Sequence, residues 1–181
     1  MQVLLNPHVP ATGFNRDVLR DPARLRSAAA ALPGPAQRTG TPVLDGLVTQ
    51  LAATLPATAC AATVVLADAV LPLAVHGRPD KIMEVAEGVP CEWSPCRLVV
   101  ETGLPVLISD IHNDPNHVDN DLVLRLGLRC YAGVPVRDAD GLVIGSLIAL
   151  DKAPYAFSLE TLEELQAHLI EAQSALTAPA V

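Results

Sequence analysis

The chain has 181 residues, which is the length of one domain or slightly more. Half of the residues are hydrophobic and 18% are charged, a composition that excludes a disordered polymer and supplies a core without a metal or disulfide staple. The 12 basic and 20 acidic residues give a net charge of −8, which argues against proteins that bind nucleic acid or anionic lipid through a basic surface.

The longest uncharged stretch, residues 46–67, is long enough to cross a bilayer. It contains Gln50 and Pro56, and it is flanked by acidic residues rather than by lysine or arginine. We therefore interpret it as a helix, a turn at Pro56 and a buried strand. The N terminus lacks the basic segment of a signal peptide, so we expect a cytoplasmic protein whose four cysteines are reduced thiols.

The first third of the chain predicts an arm and two helices. Residues 1–20 contain two prolines and no sustained period, so we expect a flexible arm. Asp21 and Pro22 are a typical N-cap and first helical residue, and they predict an extra helix over residues 21–33. From residue 42 onward, apolar residues recur at helical spacing, which predicts a helix over residues 42–55.

The middle of the chain predicts strands separated by irregular segments. Apolar, β-branched runs over residues 60–66 and 71–75 predict two adjacent strands. A charged, irregular loop follows over residues 77–92. Residues 94–103 then predict a helix that a glycine ends, and residues 105–109 predict a third strand.

The last third of the chain gives the clearest pattern. A polar loop over residues 110–121 is followed by a short helix over residues 122–126. Residues 129–136 and 142–150 predict a hairpin whose connecting turn contains a glycine. A helix over residues 158–176 follows, with a serine at its N-cap and glutamates in its first two turns.

Three sequence motifs occur at definite places in this pattern. They are Trp93-Ser-Pro-Cys96, Val99-Val-Glu-Thr-Gly-Leu-Pro-Val106, and the block 127–151, in which Tyr-Ala-Gly-Val-Pro precedes Asp-Ala-Asp-Gly and Ile-Gly-Ser-Leu-Ile-Ala-Leu-Asp. Together they resemble the GAF domain family, the small-molecule sensor modules related to PAS domains. The resemblance covers about residues 42–172, and we predict one domain over residues 21–176 with a frayed tail at 177–181.

The resemblance implies an α+β fold of the GAF and PAS type, in α/β/α layers. A central antiparallel sheet of five or six strands would carry the terminal helices on one face. The excursion over residues 77–127 would cover the other face and roof a pocket. The order of the predicted elements agrees with this fold, because two strands, an irregular excursion, a hairpin and a final helix follow one another.

The resemblance also implies a ligand pocket under this roof. Arg97 and Arg129 are candidates to hold a carboxylate or phosphate, because a guanidinium presents two parallel donors. Purely structural roles remain open: Arg129 in a surface ion pair, Tyr131 in core packing, and Trp93 as a plug at the base of the roof. The predicted lining consists of Trp93, Cys96, Arg97, Asp110, Arg129, Tyr131, Val134, Ser146 and Ile148.

Three cysteines carry an enzymatic alternative. Some free-standing GAF proteins reduce free methionine sulfoxide with a thiolate and a second, resolving thiol, and Cys91, Cys96 and Cys130 lie in loosely comparable regions. This sequence has Gly-Val-Pro-Cys where that subfamily has Gly-Val-Cys-Gly, and it lacks an acidic residue two positions before the Val-Pro of the fourth strand. The structural alternative is that Cys130 is a small core residue and Cys96 an ordinary residue at a helix start.

The loop over residues 110–121 is rich in aspartate and histidine, the residue types that bind divalent metals. Its spacing does not match an EF-hand, so we interpret it as a solvated loop. The sequence predicts no metal site and no cofactor.

These observations predict a stand-alone, bacterial-type regulatory GAF module in signal transduction. It would bind an unknown small-molecule ligand, form a homodimer through helices 21–33, 42–55 and 158–176, and act on a separate output protein, with no nucleic acid or membrane as partner. Two alternatives stay open: an enzyme like the free methionine sulfoxide reductases, and an interaction scaffold without a ligand. The missing reductase motifs favour a protein that is not an enzyme.

Overall fold

A computed structural model describes residues 2–5, 16–33, 42–77, 88–114 and 126–177. The strands in these ranges are β1 (Leu4–Leu5), β2 (Ala59–Val65), β3 (Ala69–His76), β4 (Val89–Pro90), β5 (Val106–Ile108), β6 (Cys130–Arg137) and β7 (Val143–Asp151). They form one sheet in the order β1-β5-β6-β7-β2-β3-β4.

Helices cover both faces of this sheet. Their bounds are α1 (Arg16–Leu19), α2 (Pro22–Ala30), α3 (Pro42–Thr54), α4 (Cys96–Thr102), α5 (Leu159–Ala167) and α6 (Leu169–Thr177). Two single 3-10 turns, at Cys91–Trp93 and Ile111–Asn113, stand before α4 and after β5.

The centre of the sheet consists of two antiparallel hairpins side by side. β6 and β7 pair along their whole length, and β2 pairs with β3 on one side and with β7 on the other. The carboxylate of Asp138 fixes the β6–β7 turn, because it accepts hydrogen bonds from the backbone N–H groups of Asp140 at 3.0 Å and Leu142 at 2.8 Å. Both predicted strand pairs are confirmed.

Local sequence signals start and end the helices where we expected them. The side chain of Asp21 accepts a hydrogen bond from the backbone N–H of Arg24 at 2.8 Å, and Pro22 is the first residue of α2. Gly103 ends α4 with a φ of 64°, a conformation that glycine adopts without steric cost. The predicted helices at 21–33, 42–55 and 94–103 are confirmed to within a turn.

The uncharged stretch over residues 46–67 folds as interpreted. It forms most of α3, the turn at Pro56, and β2. Of the helices in the described part of the chain, none combines the length and the apolar character needed to cross a bilayer.

The two faces of the sheet bury two separate cores. Because side chains alternate along a strand, Cys130, Ala132 and Val134 pack with α3, α5 and α6, whereas Tyr131 faces α4. The long helices therefore cover one face, and α4 with its neighbouring turns covers the other. This is the layered α+β arrangement that the sequence predicted.

The edges of the sheet differ from the prediction of five or six antiparallel strands. β1 lies in the segment that we predicted as a flexible arm, and it pairs in parallel with β5, with the N–H of Leu4 donating to the carbonyl of Pro105 at 2.9 Å. α1 comes from the same segment. At the other edge, β4 lies in the predicted irregular loop and pairs with β3. Strands of two residues carry no period that a sequence could reveal, so both were missed.

The helix predicted over residues 158–176 is two helices. His168 separates α5 from α6, with a φ of −94° and a ψ of 0° that depart from helical values. The two halves have different neighbours, since α5 packs against β6 while α6 also packs against α3. Leu159, the first residue of α5, is exposed. The helix predicted at 122–126 lies outside the described residues except for its last position.

A buried arginine joins three elements at one end of the sheet. The guanidinium of Arg24 donates to the carbonyl oxygens of Val18 at 3.1 Å, Leu19 at 2.5 Å and Val65 at 2.7 Å. These carbonyls belong to the last turn of α1 and to the end of β2. Because a buried charge is costly unless its donors are satisfied, these bonds fix α1 and α2 against the sheet.

We expect Arg24→Met to destabilise the protein by about 3 kcal/mol, because charged hydrogen bonds are lost and three carbonyl groups are left without this donor. Arg26→Met is the matched control, since Arg26 lies on the exposed side of the same helix and its loss should cost less than about 0.5 kcal/mol. Urea unfolding of both variants measures the difference. Equal midpoints for the two variants would show that Arg24 does not hold these elements together.

Candidate functional site

Tyr131 occupies the space between the sheet and α4. Its side chain is fully buried and lies over Gly133, the next residue on the same face of β6: a Cβ at Gly133 would meet the Tyr131 hydroxyl at 2.3 Å. The hydroxyl donates to Sγ of Cys96, the first residue of α4, at 3.6 Å. Burial raises the pKa of Tyr131 well above its ordinary value, so the phenol stays protonated and acts as a donor.

Two hydroxyl groups continue this buried polar cluster across the sheet. Ser146 is fully buried on the same face as Tyr131, and its Oγ lies 2.8 Å from Oγ1 of Thr63 on the neighbouring strand β2. Of the predicted pocket residues, the structure thus brings Cys96, Tyr131 and Ser146 together, but as packed side chains that fill the space under α4.

Asp110 and Arg129 form a second pair of predicted residues. The two Asp110 carboxylate oxygens accept hydrogen bonds from Nε and Nη2 of Arg129 at 2.7 and 2.6 Å. Asp110 also accepts from Nδ2 of Asn113 at 2.8 Å and from the N–H of His112 at 3.2 Å. The structural role that we left open for Arg129, an ion pair beside the start of β6, is therefore present.

Ile148 packs in the same core as Tyr131, whereas Trp93 and Val134 lie apart from both groups. Trp93 is exposed at the end of its 3-10 turn. Cys130 and Val134 point to the opposite face of the sheet, in the core formed with the long helices, while Cys91 and Cys96 belong to the core under α4. The sheet therefore separates Cys130 from the other two cysteines of the enzymatic alternative.

A cavity of about 170 Å³ lies at the margin of α4, where this helix approaches α1 and the turn between β2 and β3. Arg97 contributes to its wall, and so does Cys91 of the cysteine set. The full lining is Leu19, Arg20, Ala67, Asp68, Cys91, Glu92, Arg97 and Glu101.

The charged groups of this cavity form ion pairs at two depths. Nη2 of Arg20 lies 3.3 Å from Oδ1 of Asp68, and these side chains are 63% and 81% exposed. Nε of Arg97 lies 4.0 Å from Oε1 of Glu101, and these side chains are only 10% and 4% exposed. The inner pair, Arg97 and Glu101, is therefore shielded from water. Its interactions with a bound charge are stronger for that reason than those of the outer pair, Arg20 and Asp68. Glu92 adds an exposed carboxylate.

The thiol of Cys91 is an uncharged part of the same wall. Burial raises its pKa to about 12, with Cys96 adding to the effect and Arg97 opposing it. At neutral pH Cys91 is therefore a protonated, weakly polar group rather than a nucleophilic thiolate.

Sequence reasoning missed most of this lining. Arg97 was singled out, but its partner Glu101 was not, although the two stand four residues apart on one helix. That spacing inside a largely apolar helix was the available signal. Leu19, Arg20 and Asp68 had no comparable signal, because they come from segments that approach α4 only in the folded chain.

The layered sheet, the packed face under α4 and the charged cavity at its margin describe a small α+β domain. The family model of the GAF domain matches residues 41–175, and the chain belongs to the GAF domain family. Among curated proteins no sequence relative is found.

Solved structures share this fold at low sequence identity. The type II free methionine-R-sulfoxide reductase from Thermoplasma acidophilum has a TM-score of 0.59 at 18% identity, over 74% of this chain and 88% of that chain. The GAF domain from Acinetobacter phosphoenolpyruvate-protein phosphotransferase has a TM-score of 0.58 at 18% identity, over 88% and 90%. The GAF domain/HD domain protein from Geobacter sulfurreducens has a TM-score of 0.56 at 15% identity, over 72% and 89%. Likeness at this level supports the fold and not a particular function.

We expect Gly133→Ala to destabilise the protein by about 1–3 kcal/mol, because the new methyl group displaces the buried Tyr131 ring. Gly46→Ala is the control: a Cβ at this position in α3 meets nothing within 4 Å, so the variant should be as stable as the wild type or gain up to about 1 kcal/mol. Urea unfolding gives both values. The cost of Gly133→Ala should shrink in a Tyr131→Leu background, and an unchanged cost there would contradict the contact.

We also expect the Asp110–Arg129 pair to make stability depend on pH. The hydrogen bond from Arg129 lowers the pKa of Asp110 below its ordinary value, against the effect of burial. At pH values between the lowered pKa of the folded state and the pKa of about 3.9 in the unfolded chain, the unfolded state binds more protons than the folded state. The stabilisation is therefore complete above the ordinary pKa and is lost as the pH falls through the lowered one.

Asp110→Asn should accordingly unfold at lower urea concentration than the wild type at pH 7, and the gap should narrow below about pH 4. Asp140→Asn, in the exposed β6–β7 turn, controls for the loss of any carboxylate. Urea midpoints at pH 7, 5 and 3 are the measurement. A gap of the same size at all three values would contradict the role of the ion pair.

Proposed function

We propose that this GAF domain is a regulatory module that senses a small molecule in the cavity between α1, the β2–β3 turn and α4. Binding there shifts the arrangement of the helices that carry the signal to a separate output protein. The observation that carries the proposal is the direct connection between the cavity wall and the helical layer.

This connection runs through named contacts. Leu19 lines the cavity, and its carbonyl accepts a hydrogen bond from the guanidinium of Arg24 in α2. α2 in turn places Ala28 in the core of the long helices, and the hydroxyl of Ser27 donates to Asp138 at 2.5 Å. A ligand that moves the end of α1 therefore also biases α2, because the two helices share the Arg24 joint.

The long helices offer a surface for a second copy of the chain. α3, α5 and α6 each carry an exposed apolar side chain, namely Val43, Leu159 and Ile170. We take these side chains as candidate contacts of the predicted homodimer, which is the form we propose to transmit the signal.

The reductase alternative has weaker support from the geometry. That reaction needs a thiolate to attack the sulfoxide sulfur and a second thiol to resolve the intermediate. Here burial keeps Cys91 protonated, and Cys130 lies on the opposite face of the sheet. The scaffold alternative requires that no ligand binds anywhere in the domain. The cluster around Tyr131 is already packed with side chains, so this alternative holds if the marginal cavity also binds nothing.

A thermal-shift screen of the full chain against a panel of metabolites, followed by hydrogen–deuterium exchange with each stabilising compound, tests the proposal. We expect a stabilising compound to slow exchange in residues 16–30, because α1 and α2 move together with the cavity wall. Exchange at Val106–Ile108, which contributes no residue to the cavity lining, should change less.

Two outcomes would contradict this function. Protection confined to α4 would show that the helices do not respond, and the absence of any stabilising compound would favour the scaffold. Consumption of free methionine sulfoxide in the presence of a thiol reductant, abolished by Cys96→Ser, would establish the enzyme instead.

A further inference from the structure

We propose that the marginal cavity binds a small zwitterion of the α-amino acid type, with a short side chain. This inference rests on the proposed function, since it names the class of molecule that the sensor detects. The cavity lies outside the packed cluster around Tyr131, and it is defined by its charges, its volume and its apolar wall.

The charges of the lining select a ligand that carries both signs. Two guanidinium groups, of Arg20 and Arg97, stand beside three carboxylates, of Asp68, Glu92 and Glu101. A ligand of one sign would meet repulsion from two or three of these five groups. A zwitterion places its carboxylate against a guanidinium and its ammonium against a carboxylate, so that each of its own two charges has a partner of opposite sign.

The buried pair of Arg97 and Glu101 should make the strongest contacts with such a ligand. Nε of Arg97 and Oε1 of Glu101 are 4.0 Å apart and form an ion pair of two opposite charges. Both side chains are at least nine-tenths buried and line the cavity. Because water screens them little, a carboxylate at Arg97 and an ammonium at Glu101 would interact more strongly than the same groups at the exposed pair of Arg20 and Asp68.

The volume limits the size of the ligand. About 170 Å³ is comparable to a cavity that holds a benzene molecule, which corresponds to roughly six to ten non-hydrogen atoms. Nucleotides and peptides are too large. Leu19, Ala67 and the protonated Cys91 thiol give one part of the wall an apolar surface, which suits a methyl, hydroxymethyl or isopropyl side chain.

Isothermal titration calorimetry with the full chain tests this assignment, with L-alanine, L-serine and L-valine as probes. L-lactate, which lacks the ammonium group, and L-alaninamide, which lacks the carboxylate, are the matched control ligands. We expect saturable binding of at least one amino acid and at least tenfold weaker binding of both controls. Equal binding of an amino acid and either control would overturn the zwitterion assignment.

Variants locate the site on the cavity. Arg97→Gln and Glu101→Gln should each weaken binding of the best amino acid at least tenfold. Arg97 and Glu101 are buried, so their variants could also lose stability. Arg20→Gln and Glu92→Gln are exposed substitutions in the same lining, and they should weaken binding measurably without lowering the thermal unfolding temperature. Glu163→Gln, exposed on α5, should bind as the wild type does. Unchanged affinity in all four lining variants would place the ligand elsewhere and overturn the proposal.

The two proposals fail in distinguishable ways. If no amino acid binds but another metabolite stabilises the protein and slows exchange in residues 16–30, the zwitterion assignment falls and the sensor function stands. If no compound of any class binds, both fall. If an amino acid binds at the cavity without slowing exchange in residues 16–30, the site is correct and the proposed signalling route is wrong.

Discussion

The position of α4 over the sheet depends on one tyrosine that lies above one glycine. Because Gly133 has no side chain, the Tyr131 ring takes the space where a Cβ would stand, and its hydroxyl meets the first turn of α4 at Cys96. The interface under α4 is therefore solid at this point. Open space forms instead at the margin of the helix, where Arg97 and Glu101 turn toward α1 and the β2–β3 turn. Because this contact fills the centre of the face under α4, the candidate site lies at the border of that face.

Most of the fold follows from periods and end signals in the sequence. Alternating apolar residues and a glycine-containing turn are enough to define β6 and β7, and Asp21, Pro22 and Gly103 mark helix ends by backbone chemistry that acts within a few residues. The elements that the sequence analysis missed lack such local signals. β1 and β4 are too short to carry a period, and the break at His168 occurs without a proline or glycine that would mark it in the sequence.

The candidate site was harder to predict than the fold because it is assembled from four separate parts of the chain. The end of α1, the β2–β3 turn, the 3-10 turn and α4 meet only after folding, and no local pattern marks Leu19 or Asp68. The family resemblance directed attention to the face under the roof, where this chain has packed side chains in Tyr131 and Ser146. Arg97 was named because the resemblance places it in the pocket wall and a guanidinium can hold an anion. Its partner Glu101 could have been found from the spacing of four residues between opposite charges in a mainly apolar helix.

The lengths of the outermost strands have a consequence for how the molecule behaves at high concentration. A sheet edge exposes unpaired N–H and C=O groups on which a strand of another chain can extend the sheet and begin an aggregate. In the described part of this chain the outermost strands, β1 and β4, are only two residues long, and β4 pairs with just Ala69 and Val70 of the eight-residue β3. β7 and β2 each have a long antiparallel neighbour on either side, so most of the apolar sheet is closed to such pairing. Pro72 lies in the part of β3 beyond β4, and because proline has no N–H to donate, it weakens the pairing of an added strand at this edge.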